Sequence, residues 1–518
     1  MISQHKKDSS QNMKTAPDEV IPARFWDTND VFQKLVMEFT YRFDDVLEAG
    51  KLKSSLERLM EIGEWKNLGA RFKKNVGSVM AQGSVHLTVA DCSYCQATTG
   101  SIQFHIPPQY DVNRPGFVWS HETLEQSISD HTVASTIPRP SDLKRPSLFP
   151  YSDHFHDLVT RPGHASTFSD WIDSDLPALS VHVVSFDDAT LLTISWSHVF
   201  LDALGRQSLL QAWTTVLDGR EEDVPAFMPF HVDPAHEIAR EGDPKKHILY
   251  HCVLTGIWFA MFVVGYLYEL FVHFAESGRM VCIPGPWVEN LRQQATADVR
   301  ASGHGDENLF LSHGDVLLAW WTKTSVAAQR LGSSQPVNIM NVTNVRGLFP
   351  DLLPDKGAAA VYTTNATVTA NTLITCGELN GMSVGALAFR LRQDLQTQRT
   401  PEQVRHLVAW QLESSKKLGR SPLLGSWNQI LLAWTNWHRA RLYDVDFSAA
   451  VLRPGLPLEG RSNKLGQPSF ILPNSHANGI SLRNAGPLIG RDANGDWWMQ
   501  TVLRAGAWAR VEEQFKRL

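Results

Sequence analysis

Between Leu191 and Gly219 the periodicity of the chain changes once, and the change falls on a histidine. Leu191-Leu-Thr-Ile-Ser-Trp-Ser197 alternates in polarity and is rich in β-formers, which predicts a strand. From Asp202 onward, Leu204, Leu209, Trp213 and Leu217 recur at near-helical spacing and Gly219 supplies a stop, which predicts a helix. A strand that feeds a helix is a unit of a mixed α/β layer. The junction places His198 between the two elements, with Asp202 four residues later. An imidazole with an ordinary pKa near ~6.5 is mostly neutral at cytosolic pH and can accept a proton from a hydroxyl, so His198 is a candidate general base. In a chain with 20 His the His-x-x-x-Asp spacing is no better than chance. The junction gives it meaning.

At 518 residues the chain is too long for one ordinary domain, and two large units are expected. A hydrophobic fraction of 43%, 20% charged residues and 17 Trp suit a globular protein with a sizeable core. A net charge of −6 gives no electrostatic footprint for nucleic acid. The five cysteines are odd in number and sparse, which argues against a disulfide framework and for a reducing, cytoplasmic location. Cys92-Ser-Tyr-Cys95 is a solitary pair without the second pair of a zinc ribbon, and no metal site is read from the sequence. Residues 1–20 form a polar leader without the apolar core of a signal peptide.

Residues 248–268 contain no Asp, Glu, Lys or Arg, follow Lys245-Lys246, and are long enough to cross a bilayer. Spanning would put His198 and the C-terminal half on opposite sides of the membrane. A connecting helix buried between domains, or one lying in the membrane interface, is therefore preferred. The rest divides into a helical layer including Leu52 to Met60 and short alternating strands at Ser84–Val89, Ile102–Ile106 and Leu179–Phe186. Irregular, Pro- and His-rich connections fill 107–165. Helices at Trp287–Arg300 and Asp315–Lys323, strands at Val337–Val342 and Gly495–Leu503, and a terminal helix from Ala507 follow. The charged, proline-bearing stretch from Gly219 to Lys246 marks the boundary, giving 21–222, a linker 223–275 with the apolar run, and 276–518.

Several blocks in the same order carry a resemblance. They are Leu59 to Arg71, Ser185 to Thr190, Ser197-His198-Val-Phe-Leu-Asp202-Ala-Leu-Gly205, Asp315 to Trp320, Asn341 to Arg346, Tyr443-Asp-Val-Asp-Phe447 and Trp497 to Arg504. Together they resemble the BAHD acyltransferases, and more closely the fungal secondary-metabolism branch that includes trichothecene acetyltransferase-like proteins. The resemblance implies an α/β fold of two chloramphenicol-acetyltransferase-like domains with a central channel between them. It further implies a monomer using acyl-CoA, acetyl-CoA by default, as co-substrate, with no resident cofactor, and a small-molecule alcohol as acceptor.

It assigns His198 as the base and Asp202 as a brace facing away from substrate, usually paired with an arginine, for which Arg346 is the candidate. Gly205 would allow close packing at the helix start without obstructing the CoA arm. Asn365 could donate to the oxyanion or cap a turn. Asp446-Phe447-Ser448-Ala449-Ala450 departs from the family's Asp-Phe-Gly-Trp-Gly and bears on donor binding. Tyr362-Thr-Thr-Asn365 also departs from the Tyr-x-Gly-Asn of many relatives. Two rivals remain. One is a serine hydrolase using Ser383 in Gly381-Met-Ser383-Val-Gly385, disfavoured because a polar stretch and not a buried strand precedes it. The other is a catalytically degenerate relative that binds a small molecule or associates with a membrane through 248–268.

Overall fold

The computed structural model describes residues 16–75, 101–139, 143–303, 309–355 and 357–518. The expected strand Ser84–Val89, the Cys92/Cys95 pair and most of the polar leader lie outside the described residues. Two sheets organise the molecule. A five-stranded sheet runs in the order Phe470–Ala477, Leu35–Phe43, Thr190–Ser197, Leu179–Ser185, Val118–Thr123. A seven-stranded sheet runs Thr367–Thr375, Pro336–Asn344, Ile430–Asn436, Ala485–Arg491, Trp497–Arg504, Glu276–Ile283, Ser147–Phe149.

Two strands cross the expected boundary between 21–222 and 276–518. Strand Phe470–Ala477 of the C-terminal part completes the first sheet, pairing along Leu35–Phe43. In return, Ser147–Phe149 of the N-terminal part edges the second sheet, against Met280–Cys282. Each donated strand pairs with a strand of the other part and so ties the two parts together. No composition shift announces either exchange.

The strand before His198 is observed at Thr190–Ser197 and is buried throughout. Alternation puts Leu192, Ile194 and Trp196 on one face and Thr193, Ser195 and Ser197 on the other. Its polar face is covered too, and Thr193 and Thr40 satisfy each other across strands at 2.8 Å. The helix after the junction, Ala203–Leu217, buries Leu209, Leu210, Trp213 and Leu217 and packs on the helix Ala49–Leu59, where the Trp213 indole donates to the Leu52 carbonyl. The expected strand at 102–106 is present with those ends, and the strands at 179–186, 337–342 and 495–503 and the helices at 287–300, 315–323 and 507–518 are present with shifted ends.

The apolar run departs from one of its two preferred placements, burial between domains. Its helix is Gly256–Val272, starting well after Ile248, and buries only Phe262. Trp258 is 53% exposed, and Phe271 and Phe274 are each 82% exposed. A connecting helix buried between domains is therefore ruled out: the sequence reports how apolar the segment is, not what lies beside it. Among the described residues no helix is long and apolar enough to cross a membrane.

Candidate functional site

His198 leaves the end of its strand at the meeting point of two cavities. The larger, about 680 Å³, and the smaller, about 150 Å³, share Met37, His198, Val342, Trp434, Thr435 and Trp437. Met37 lies on a strand of the first sheet and Val342, Trp434 and Thr435 on strands of the second, so the cavities open between the sheets. The imidazole stacks on Phe32 with centroids 4.2 Å apart and planes within 2°. Its Nδ1 is buried, which leaves Nε2 as the nitrogen that can meet a reactant. Burial pushes the His198 pKa below its ordinary value, opposed by its own carbonyl and by Asp202 and Asn365. The ring is therefore neutral and carries a free lone pair near neutral pH.

Asp202 turns the other way. It caps the following helix, Oδ1 accepting from the amides of Leu204 (3.1 Å) and Gly205 (2.8 Å). Both of its oxygens are also bound by Arg346, Nη1 to Oδ2 at 2.8 Å and Nη2 to Oδ1 at 3.0 Å, with each side chain only 5% exposed. The Ala366 amide donates to Oδ2 at 3.1 Å. Arg346 spends its remaining donors on the carbonyls of Tyr362 and Thr364 and on Asn344. A bidentate fork of this kind is rigid, and it fastens the helix start to strands of the other sheet. Gly205 is required there because a Cβ would run into the Thr363 carbonyl oxygen.

Asn365 had two readings, an oxyanion donor or a structural amide, and its contacts are structural. Its side-chain amide donates to Asp27 Oδ1 and to the His198 carbonyl, both at 2.9 Å, and its backbone amide also goes to Asp27 Oδ1. Both N–H groups are spent, so it has none left for an oxyanion; it instead holds the backbone that carries the histidine. Asp446 is not brought to His198. It accepts the Ser448 amide, while Phe447 packs against Phe43 and Trp213 in the core of the first sheet. Neither cavity is lined by that loop. Ser383 is an exposed N-cap of the helix Val384–Gln398, bonded to the Ala386 amide, and no strand runs into it.

Three contributors were not foreseen from the sequence. Phe32 fixes the plane of the ring. Asp27 anchors Asn365, and burial pushes its carboxyl up to about 7 against the pull of Arg24 and Asn365. Arg206, 1% exposed, lies 3.5 Å over the Phe39 ring, with Trp196 and Trp437 at 5.7 and 5.3 Å, and stiffens the cavity wall. Only Arg206 had a local signal, one helical turn beyond Asp202.

Comparison with known proteins places these features in context. The family model for the Transferase family matches residues 165–482. Acetyltransferase adrJ of Penicillium rubens is 34% identical over 504 residues, covering 97% of this chain and 96% of that protein. O-acetyltransferase PaAT-2 of Phomopsis amygdali is 30% identical over 514 residues, covering 97% and 98%. Among solved structures, F. graminearum TRI101 complexed with coenzyme A and T-2 mycotoxin matches the fold with a TM-score of 0.64 at 13% identity. The match covers 96% of this chain and 98% of that one.

Proposed function

The chain belongs to the Transferase (BAHD) family, and from that premise we propose that it moves an acyl group, acetyl by default, from acyl-CoA to a hydroxyl of a small secondary metabolite such as a terpenoid or polyketide. What carries the proposal is His198, neutral, held by Phe32, and set where two cavities meet. Nε2 takes the acceptor's hydroxyl proton as the oxygen attacks the thioester carbonyl. Collapse of the tetrahedral adduct breaks the C–S bond, and the departing thiolate takes the proton back as free CoA thiol. Both substrates are held at once, so no acyl-enzyme is needed. Arg392, Arg399 and Arg439 line the larger cavity and suit the phosphates of CoA. Leu35, Val342, Pro473 and Leu482 give the smaller one an apolar wall suited to the acceptor. One chain lines both, so a monomer suffices.

The direct test incubates the purified chain with acetyl-CoA and a panel of terpenoid and polyketide alcohols while following free thiol. Turnover is expected, with His198→Ala lowering it by about 10² to 10⁴. CoA binding with no turnover on any acceptor would favour the degenerate-binder alternative.

The exposed helix Gly256–Val272 favours a cytoplasmic protein that rests on a membrane surface. Its one charged residue, Glu269, is neutralised by Arg483 at 2.8 Å and Arg504 at 2.6 Å. Basic groups flank it: Lys245 and Lys246 precede it, and Arg420 stacks 3.5 Å over Phe259 just beyond Lys416 and Lys417. An apolar stripe with a cationic border matches an anionic bilayer. Arg483 also neighbours Leu482 in the wall of the smaller cavity, so the helix stands beside the acceptor side. Vesicles containing phosphatidylserine should retain the protein, and Trp258→Ser with Phe271→Ser should release it. Equal retention of that double variant would remove the membrane role.

A further inference from the structure

The first sheet turns its second face away from the cavities, and there three side chains converge that the acyl-transfer site does not use. They are Glu38, His164 and His476. Glu38 sits on strand Leu35–Phe43 opposite Asn474, and His476 lies two residues further along the paired strand. His164 comes from the segment that covers this face. One carboxylate oxygen and one ring nitrogen from each histidine lie within 4.8 Å of one another. The Nε2 atoms of His164 and His476 stand 3.9 and 3.8 Å from the carboxylate. The Glu38 side chain is 1% exposed and that of His164 6%.

The polar chemistry at this spot closes only in part among the described protein groups, because His164 Nε2 is left without a partner. Asn474 Oδ1 accepts the Ser475 amide at 2.9 Å, which fixes the orientation of its amide. The group 3.2 Å from His476 Nε2 is therefore Nδ2, a donor, so that nitrogen presents a lone pair and not a proton. His164 Nε2 is buried and has no hydrogen-bond partner among the described residues. Thr160 donates to Glu38 Oε1 at 2.7 Å, and Ser195 lies 3.5 Å from Oε2, which orients the carboxylate from outside the cluster. A carboxylate and two ring nitrogens thus converge in a small buried space, one of the nitrogens without a hydrogen-bond partner among the described residues, and a cation between them would bond to all three.

We propose that Glu38, His164 and His476 bind a divalent transition-metal ion. Two imidazoles and one carboxylate, completed by water through the more open His476 side, suit zinc; calcium and magnesium prefer all-oxygen sets. The ligands must draw together by modest side-chain rotation to reach bonding distance. The ion would be structural. Met37 and Ser475, next to Glu38 and near His476 on the same strands, line the smaller cavity, so alternation points the ligands the other way. It would staple the donated strand Phe470–Ala477 and the covering segment to the middle of the sheet. That same segment supplies Tyr151 to the cavity wall.

The test uses the full chain treated with EDTA, then titrated with ZnCl₂ and separately with CoCl₂. One tight equivalent per chain is expected, with visible absorption bands of four-coordinate cobalt and a rise of several degrees in unfolding temperature with zinc. His164→Ala and His476→Ala should each weaken the tight equivalent by at least about tenfold. His251→Ala, on the exposed apolar run, should keep it. Circular dichroism of the metal-free variants checks that they fold. No stoichiometric binding by the unaltered chain, or binding that persists in both ligand variants, would overturn the site.

Discussion

His198 and Asp202 are four residues apart but work in different regions of the molecule. The histidine faces the space between the sheets, and its ring is held by a stacked phenyl group. The aspartate side chain is buried, caps a helix and is gripped from the other sheet by Arg346. One stays chemically available because its lone pair has no permanent partner. The other is unavailable because both of its oxygens are taken. The difference teaches that a short polar motif can combine a reactive group with the fastening that keeps it in place. Each half should therefore fail in its own way.

Arg346→Ala gives the largest structural failure. It strips a buried carboxylate of its bidentate partner, and a loss of about 3–5 kcal/mol is expected in denaturant unfolding. Turnover per folded molecule should fall far less than in His198→Ala. If Arg346→Ala left stability unchanged, the fastening role would be lost. Gly205→Ala should cost about 1–3 kcal/mol as the Thr363 carbonyl is forced away, again read by unfolding. The smallest effect sharpens the chemical half. Burial holds His198 below 6.5, so kcat/KM should be flat at neutral pH and fall only as pH drops through that lowered value. The linked stability has the matching sign: present above the unfolded pKa of about 6.5 and lost as pH falls through the folded one. An inflection at or above 6.5 would contradict the environment described for the ring.

Much of the chemical half was legible because it is local. The strand before His198 and the helix after Asp202 are written in consecutive residues, whereas the need for glycine at 205 comes from the distant Thr363 carbonyl and was suggested only by the resemblance. Arg346 as the partner of Asp202 was legible only through the order of the blocks. Phe32 and Asp27 were not, since each reaches His198 only through tertiary contact. Asn365 was legible only in part: an amide's capacity to donate is visible in sequence, but whether Asp27 and a carbonyl have already used it is not. The exchange of Ser147–Phe149 for Phe470–Ala477 leaves no mark, because edge strands look like any other strand. The helix Gly256–Val272 shows the limit of hydropathy, which measures a segment and not its surroundings. The Glu38, His164 and His476 cluster has no sequence spacing at all.

The central claim is that His198 performs the proton transfer and is not part of what holds the fold. The direct measurement is thiol release from acetyl-CoA, in the presence of a turned-over acceptor, by unaltered protein and His198→Ala, with thermal unfolding recorded on the same samples. The expected result is a fall in kcat/KM of about 10² to 10⁴ with the unfolding temperature essentially unchanged. A folded His198→Ala protein that still transfers at the unaltered rate would contradict it.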